Sequence, residues 1–221
     1  MLTNTLEQTY YIIDFDSTFT QVEGLDELAN IALAGRLQRE KIVKQIRKKK
    51  KKGMNGEMSF AEGLRRRIEL LSANRSHIDT LVDFLRTKIS NSFARNRAFL
   101  TEYADNILII SSGFKEFIVP IVTEMGLKEE NVYANTFVFD EKDNIIGVDE
   151  TNVLSKDKGK VKLLESLHLE GEVCAIGDGY TDYELRSSGL ATRFYAFTEN
   201  VERQKVVDVA DHIVPSLDEF L

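Results

Sequence analysis

Short apolar runs and longer amphipathic segments alternate along this chain. Three runs are rich in Ile, Val or Tyr and end at turn-forming or acidic residues, at 10–15 (YYIIDF), 106–113 (NILIISSG) and 172–179 (EVCAIGDG). Each is too short to form a helix on its own. The pattern therefore predicts three buried strands.

Helical periodicity occupies most of the sequence between the second and third runs, at 115–126 and 158–171. Between these two segments, residues 133–148 (YANTFVFDEKDNIIGV) predict a β-hairpin with Asp143 and Asn144 in its turn. Strands that alternate with helices indicate an α/β fold with a doubly wound, mostly parallel sheet covered on both faces.

The part of the chain between the first two strands has a different pattern. A succession of helical periodicities runs from about residue 22 to residue 103, and none of its segments predicts a strand convincingly. We therefore expect an α/β core domain formed by residues 1–21 and 104–221, with a helical cap domain, residues 22–103, inserted after the first strand.

Composition and charge restrict the classes of ligand. The chain has 221 residues, 43% of them hydrophobic, which is enough for one large core or for a core and a smaller satellite domain. Its formal net charge of −7 argues against a general nucleic-acid binder, because such binding depends on clustered Lys and Arg. The basic run at 47–52 (RKKKKK) has no interleaved aromatic residue, so a solvated helix end is favoured over a phosphate or nucleic-acid patch.

Other features bear on the cellular environment. The single cysteine, Cys174, excludes an intrachain disulfide and fits a reducing compartment. The first residues lack the pattern of a signal peptide, and no apolar run reaches ~18 residues, the length that spans a bilayer. We expect a cytoplasmic protein with no membrane partner, present as a monomer or homodimer.

Candidate chemistry lies where the predicted strands end. Asp14 and Asp16 follow the first strand, Ser111 and Ser112 end the second, and Asp178 ends the third. In open α/β sheets, ligands bind just outside the carboxyl ends of the strands, so these groups converge if the strands are neighbours. Three carboxylates that lie together repel each other unless a cation sits among them, and oxygen ligands without His or Cys favour Mg²⁺.

This group of residues fits phosphate chemistry. We expect Asp14 and Asp16 to point in different directions at the edge of the sheet, so that one carboxylate can attack phosphorus while the other donates a proton to the leaving oxygen. The phosphoryl oxygens need cationic and N–H partners. Lys158 at a helix start, the hydroxyl of Ser111 and the backbone of the turn through Gly113 are candidates.

Four ordered motifs resemble those of the haloacid dehalogenase superfamily of phosphotransferases. They are DFDST at 14–18, IISSGF at 109–114, KGK at 158–160 and GDGYTD at 177–182. The subfamily that fits best is that of the phosphoserine phosphatases, because Glu23 lies nine residues beyond Asp14 and Arg67 lies seven residues beyond Phe60. The resemblance spans nearly the whole chain and implies a Rossmann-like core with a helical cap.

The resemblance also implies roles for individual residues. Asp14 would be the nucleophile, Asp16 the acid and base, and Asp178 would complete the Mg²⁺ ligands with these two. Glu23 would hold a substrate ammonium and Arg67 a carboxylate, a pair suited to a zwitterion. The remaining expected substrate contacts are Met54, Phe60, Ser111, Ser112, Gly113, Lys158 and Thr181. Asp182 would support Lys158 or a metal-bound water. On spacing alone, Met54 and Phe60 resemble core residues.

Two departures from the family pattern leave more than one substrate compatible with the sequence. The second motif reads Ser-Ser-Gly where the family has Ser-Gly-Gly, and the segment FYAFTENVERQKV lacks the glycines of some relatives. We expect hydrolysis of O-phospho-L-serine as the small phosphorylated metabolite. The alternatives are a phosphatase or phosphotransferase for another small phosphomonoester, such as phosphohomoserine or phosphocholine, and a non-catalytic, anion-binding regulatory protein.

Overall fold

The computed structural model describes residues 8–54 and 57–221, without the side chains of residues 50–54. Six strands form a parallel sheet in the order β3-β2-β1-β6-β7-β8, and two form a separate antiparallel pair. The strands are β1 (Thr9–Ile13), β2 (Ile107–Phe114), β3 (Val132–Asn135), β4 (Phe137–Phe139), β5 (Ile145–Val148), β6 (Glu172–Gly177), β7 (Arg193–Phe197) and β8 (His212–Val214).

Helices occupy most of the remaining sequence. They are α1 (Gly24–Ala32), α2 (Arg39–Met54), α3 (Phe60–Leu71), α4 (Arg75–Arg86), α5 (Asn91–Arg95), α6 (Arg97–Glu102), α7 (Lys115–Glu124), α8 (Gly159–Leu167), α9 (Tyr180–Ser187) and α10 (Gln204–Val207). Among the described residues, no helix combines the length and apolar character that crossing a membrane requires.

Alternating side chains of the central strands supply two separate apolar cores. In β1, Ile13 belongs to one buried cluster and Ile12 to the other, and Ile109 and Ile110 repeat this alternation in β2. Side chains of a strand point alternately to opposite faces, so a sheet covered on both faces buries both sets. The predicted α/β class, with a doubly wound parallel sheet and a helical insert after β1, is confirmed.

The insert contains α1 to α6. The long periodicity at its start is divided between α1 and α2, and Gly35 between them adopts a positive φ of 76° that favours glycine. Apolar residues of the insert, including Leu28 and Leu64, lie in the same buried cluster as Phe117 on α7. The insert therefore shares an apolar core with α7, and its division into a separate domain stays a prediction.

The hairpin is shorter than predicted. Its antiparallel strands are β4 and β5, whereas β3 leaves the predicted segment to pair with β2 in the main sheet. Asp143, in the predicted turn, has a positive φ of 59°, a conformation that Asp tolerates better than most residues. Two strands that the sequence did not predict, β7 and β8, extend the sheet beyond β6.

Candidate active site

The turn after β1 fixes the first carboxylate at the carboxyl edge of the sheet. Asp14 follows β1 directly, and its backbone N–H donates to the Ile176 carbonyl at 3.0 Å. Residues 15–19 form a tight, irregular helical turn, anchored by the buried rings of Phe15 and Phe19. The Phe15 N–H donates to Asp14 Oδ1 at 2.8 Å. The apolar turn residues therefore hold the Asp14 carboxylate in a defined position.

A buried lysine joins this carboxylate to a second one. Lys160 Nζ lies 2.8 Å from Asp14 Oδ1 and 2.6 Å from Asp182 Oδ1, and the lysine side chain is only 4% exposed. Burial lowers the pKa of the Lys160 ammonium, but the charges of Asp14 and Asp182 outweigh this effect and raise it. Lys160 is therefore a permanent cation beside Asp14.

Asp182 is held close by the start of α9. Its Oδ2 accepts from the Gly179 N–H at 3.0 Å, and burial together with the charge of Asp14 raises the pKa of Asp182 to about 7, against the opposing effect of Lys160. A Cβ on Gly177 would lie 2.3 Å from Asp182 Cγ. Only glycine at position 177 leaves room for this carboxyl.

The expected group of carboxylates is partly present. Oxygen atoms of Asp14, Asp178 and Asp182 lie within 4.8 Å of one another. This set fits a hard divalent cation, because its ligand atoms are all carboxylate oxygens. Lys160 contacts two of the three carboxylates and already compensates part of their charge. Asp182 takes the place in this group that was expected for Asp16, and the metal role of Asp16 stays a prediction.

The Asp16 carboxylate is held by a different element. Its Oδ1 accepts from the Gly24 N–H at 2.8 Å, at the start of α1. A Cβ on Gly113 would lie 3.5 Å from its Oδ2. Asp14 and Asp16 thus lie in distinct surroundings. The irregular turn over residues 15–19 separates them, whereas strand alternation would place residues i and i+2 on one face. Asp16 contacts the start of the insert.

The end of β2 lines the same pocket. Ser111 is buried, Ser112 is half-buried, and the Gly113 N–H donates to Ser111 Oγ at 3.0 Å. The Ser112 carbonyl accepts from the Asn135 side-chain amide at 3.0 Å. These contacts fix the end of β2, and all three residues line the same pocket as Asp14 and Asp16.

A cavity of about 550 Å³ lies between the sheet edge and the insert. Most of the predicted site residues line it, and the exceptions are Asp182, which lies behind Lys160, and Met54, whose side chain is outside the described part of the chain. The lining residues from the prediction are Asp14, Asp16, Glu23, Phe60, Arg67, Ser111, Ser112, Gly113, Lys158, Asp178 and Thr181. The structure therefore brings the predicted residues to one place, although their roles stay predictions.

Glu23 and Asp178 share a cationic neighbour. Arg203, just before α10, contacts Asp178 Oδ2 through Nη1, and its Nη2 lies 3.5 Å from Glu23 Oε1. Ser17 Oγ donates to the same Glu23 oxygen at 3.1 Å. Arg203 thus links the proposed metal ligand to the residue expected to bind an ammonium.

Arg67 is held from the insert. Its Nη2 lies 3.1 Å from Asp26 Oδ1, and both side chains are nearly buried, 10% and 11% exposed. The Arg67 Nε is buried and has no hydrogen-bond partner among the described residues. One edge of the guanidinium is thus fixed by α1, which leaves donors that can bind an anion.

Lysine placement differs from the sequence prediction. Lys158 lines the cavity but is exposed, and its positive φ of 56° places it just before α8. Asp182 contacts Lys160, not Lys158, because the chain enters the helix between the two and turns the second lysine inward. The predicted support of Lys158 by Asp182 is therefore replaced by a contact with Lys160.

Sequence reasoning missed four residues at this site. Lys160 was overlooked within the KGK motif, although its position in that motif was a usable signal. Arg203 lies in the segment noted for its missing glycines. Met58 lines the cavity beside Phe60, and Asp26 contacts Arg67 across 41 positions with no local pattern to reveal it.

Comparison with curated proteins identifies relatives of one activity. The chain is 29% identical to the chloroplastic phosphoserine phosphatase of Arabidopsis thaliana, over 91% of this chain and 66% of the plant protein. It is 28% identical to the phosphoserine phosphatase of Homo sapiens, over 94% of this chain and 89% of the human protein. No protein-family model matches the chain.

Solved structures give the same result for the fold. A phosphoserine phosphohydrolase-like protein from Francisella tularensis superposes with a TM-score of 0.85 at 27% identity, and the match covers 96% of this chain and 98% of that one. A phospho-aspartyl intermediate analogue of phosphoserine phosphatase gives 0.75 at 22% identity, covering 97% of each. The predicted resemblance to haloacid dehalogenase phosphatases, and to the phosphoserine phosphatases among them, is confirmed.

Proposed function

We propose, from its homology to the phosphoserine phosphatases, that this phosphoric monoester hydrolase is Mg²⁺-dependent, forms an aspartyl-phosphate and acts on O-phospho-L-serine. One observation carries the proposal: the Asp14 carboxylate contacts buried Lys160 in a cavity that Glu23 and Arg67 also line. A nucleophile beside a fixed cation fits phosphoryl transfer. The carboxylate of Glu23 and the guanidinium of Arg67 fit the ammonium and the carboxylate of a zwitterion.

The first step is displacement at phosphorus. The Phe15 amide and Lys160 both contact Asp14 Oδ1, which leaves Oδ2 to form the new bond to phosphorus. The bond from phosphorus to the serine oxygen breaks, and the protonated carboxyl of Asp16 gives its proton to that oxygen. Lys160 partly neutralises the incoming phosphoryl charge.

The second step releases phosphate. The Asp16 carboxylate, now deprotonated, takes a proton from a water molecule as that water attacks phosphorus, and the bond from phosphorus to Asp14 breaks. Ser111 and the backbone amides at the end of β2 would hold the phosphoryl oxygens. Asp16 can serve both steps because the Gly24 amide fixes it apart from the Asp14 carboxylate.

A divalent cation fits beside these groups. Asp14 and Asp178 would hold Mg²⁺, with Asp182 close by and Asp16 as a further expected ligand. When bound, the ion supplies positive charge that lowers the repulsion between the carboxylate and the phosphate dianion.

Substrate selection would depend on the wall of the cavity that the insert forms. The Arg67 guanidinium, fixed at one edge by Asp26, presents its remaining donors to a carboxylate. Glu23 attracts the ammonium, and its contact with Arg203 must loosen or be shared when substrate binds. Phe60 and Met58 cover the apolar part of the cavity.

The direct test is a substrate comparison with purified protein and Mg²⁺. We expect the highest kcat/KM for O-phospho-L-serine, lower values for phosphohomoserine and phosphothreonine, and the lowest for phosphocholine, which lacks the carboxylate. Asp14→Asn should abolish turnover of all four. Arg67→Gln should remove the preference for phosphoserine over phosphocholine by raising KM for phosphoserine, because it deletes the carboxylate partner.

Four outcomes would redirect the proposal. Retained turnover in Asp14→Asn would exclude the aspartyl-phosphate route. Phosphocholine turnover equal to that of phosphoserine in the unmodified protein would exclude zwitterion recognition, leaving a phosphatase for another phosphomonoester. Added alcohols that accept the phosphoryl group would reveal a phosphotransferase, and inactivity with every ester would favour a non-catalytic anion-binding protein.

A further inference from the structure

A second cavity lies on the outer side of the insert, between α2 and α3. Its volume is about 470 Å³, within the range of small-molecule sites. Three cationic side chains line it, from Lys48, Lys49 and Arg66, against a single carboxylate, from Glu69. Gln45 and the apolar side chain of Leu70 complete the wall. The concave shape distinguishes this place from an ordinary solvated helix face.

The charges around this cavity are largely uncompensated. Arg66 is paired with Glu62 one helical turn earlier. Neither Lys48 nor Lys49 forms an ion pair with any residue whose side chain the structure describes. Lysines that converge on a concavity without a partner repel each other, so a bound anion would lower the energy of the site.

The sequence concentrates positive charge in the segment that contains α2 and α3. Residues 39–67 contain 12 of the 29 Lys and Arg and only 3 of the 36 Asp and Glu. The rest of the chain is strongly acidic, so a polyanion is attracted to this segment and repelled elsewhere. The volume of about 470 Å³ accommodates a small molecule.

We propose that the cavity between α2 and α3 is a second anion site, for a small ligand with two or more phosphate groups. Lysine ammonium groups bind phosphate as point charges, and Arg66 can offer a planar pair of donors. Neither Asp14 nor Asp16 nor Lys160 lines this cavity, and its occupancy does not depend on turnover.

One residue connects the two cavities. Lys49 is half-buried and lines both the outer cavity and the larger cavity that holds Asp14. A single ammonium cannot serve anions in both places equally well. We therefore expect negative coupling, in which an anion in the outer cavity weakens binding of an anionic substrate, and the reverse.

Calorimetric titration of the full chain with inorganic pyrophosphate tests the site. The titration uses Asp14→Asn without Mg²⁺, so that neither turnover nor metal complexation interferes. We expect two binding events, one of which disappears in a further Lys48→Gln/Arg66→Gln substitution. The matched control, Lys41→Gln/Lys44→Gln, removes the same charge from exposed positions of the insert outside the cavity and should keep both events.

Each result has a defined meaning. Loss of one binding event in Lys48→Gln/Arg66→Gln (the cavity variant), but not in the control, supports the proposed anion site. The proposed site is overturned if Lys48→Gln/Arg66→Gln and the control bind pyrophosphate with equal stoichiometry, or if every variant shows a single binding event. Equal weakening of binding in both variants also overturns it, because general charge attraction then explains the binding. In the active enzyme, pyrophosphate should raise the KM for phosphoserine about 3-fold more in the unmodified protein than in the cavity variant, which is ~0.6 kcal/mol of coupling.

Discussion

Two lysines separated by one glycine, Lys158 and Lys160, lie at the start of α8, and the structure gives them different surroundings. Lys160 is buried between two carboxylates, whereas Lys158 is exposed at the rim of the cavity. A cation that touches the nucleophile can stabilise charge on the transferring group, and this effect is large where water is excluded. For the proposed phosphoryl transfer to Asp14, we therefore propose that Lys160 stabilises the phosphate and that Lys158 has the weaker role of attracting substrate.

This assignment predicts unequal losses of activity. Lys160→Gln should lower kcat by about 10²- to 10³-fold, because it removes the cation beside Asp14. Lys158→Gln should lower kcat/KM by less than ~10-fold, as expected for an exposed charge. Steady-state kinetics with O-phospho-L-serine measures both effects.

Lys160→Gln needs a control for folding, because it leaves Asp14 and Asp182 buried without their cation. Adding Asp182→Asn removes one of the two charges. Lys160→Gln/Asp182→Asn should show native circular dichroism and a loss of kcat at least as large as that of Lys160→Gln. A folded, fully active Lys160→Gln beside an inactive Lys158→Gln would return the role to Lys158.

The sequence predicted carboxylates better than their partners. Asp14 and Asp178 end buried strands, and strand ends are readable from short apolar runs. The choice between Lys158 and Lys160 depends on which residue first enters the helix, and a pattern does not fix a helix start within one or two residues. Arg203 and Asp26 join the site through contacts 180 and 41 positions apart, which only the tertiary fold creates.

Asp26 offers a second prediction at this scale. Asp26→Asn should raise the KM for O-phospho-L-serine about 10-fold with kcat nearly unchanged, because it replaces a charge-assisted contact that orients Arg67. For phosphocholine, which has no carboxylate, KM should hardly change. Arg47→Gln is the control, since Arg47 is 57% exposed and lies 3.6 Å from the same carboxylate. An equal rise for both substrates would indicate a general loss of structure.

At the scale of elements, the insert is attached to the sheet domain by more than its two connecting chain segments. The hairpin β4-β5 reaches the turn between α3 and α4, where the Ile145 N–H donates to the Ala73 carbonyl at 2.9 Å and the Arg75 N–H donates to the Asp143 carbonyl at 3.0 Å. The Arg75 guanidinium also lies 4.0 Å from the centre of the Phe139 ring. The hairpin therefore restrains α3, the helix that carries Arg67.

This restraint predicts a change in local opening. Arg75→Ala removes a cation–π contact and a partly exposed ion pair with Asp143, together worth about 1–1.5 kcal/mol. Exchange of the Ile145 amide, measured by hydrogen–deuterium exchange, should quicken about 10-fold. Arg65→Ala, on the exposed side of α3, should leave it unchanged. Unaltered exchange in Arg75→Ala would show that backbone hydrogen bonds alone hold the hairpin.

Prediction of the elements succeeded where the pattern was long or strongly apolar. The three central strands and α7 lie close to their predicted bounds because buried strands and helices need continuous apolar patterns. The edge strand β8 has two exposed residues out of three, so no apolar run marks it. Most of β3 was predicted as part of the hairpin, because a short apolar run does not indicate which strand it pairs with.

Across the whole molecule, opposite charges are separated. The insert presents positive charge around α2, while the carboxyl edge of the sheet gathers Asp14, Asp178 and Asp182. The first region would attract the proposed anionic substrate, and the second would attract the proposed cation. The cavity between them is where a phosphate dianion and a divalent ion can meet, although the molecule as a whole carries a charge of −7.

Metal binding should therefore be measurable as stability. Mg²⁺ that binds only the folded chain stabilises it by ~2.7 kcal/mol at 100 times its dissociation constant, which raises Tm by about 5–10 °C for a chain of this size. Differential scanning calorimetry with and without EDTA measures the shift, and comparing shifts within each variant cancels any change in metal-free stability. Asp178→Asn should lose most of the shift, and Asp79→Asn, an exposed carboxylate on α4, should keep it. An equal shift in both variants would place the ion elsewhere, since three carboxylates within 4.8 Å are needed to hold it at this edge.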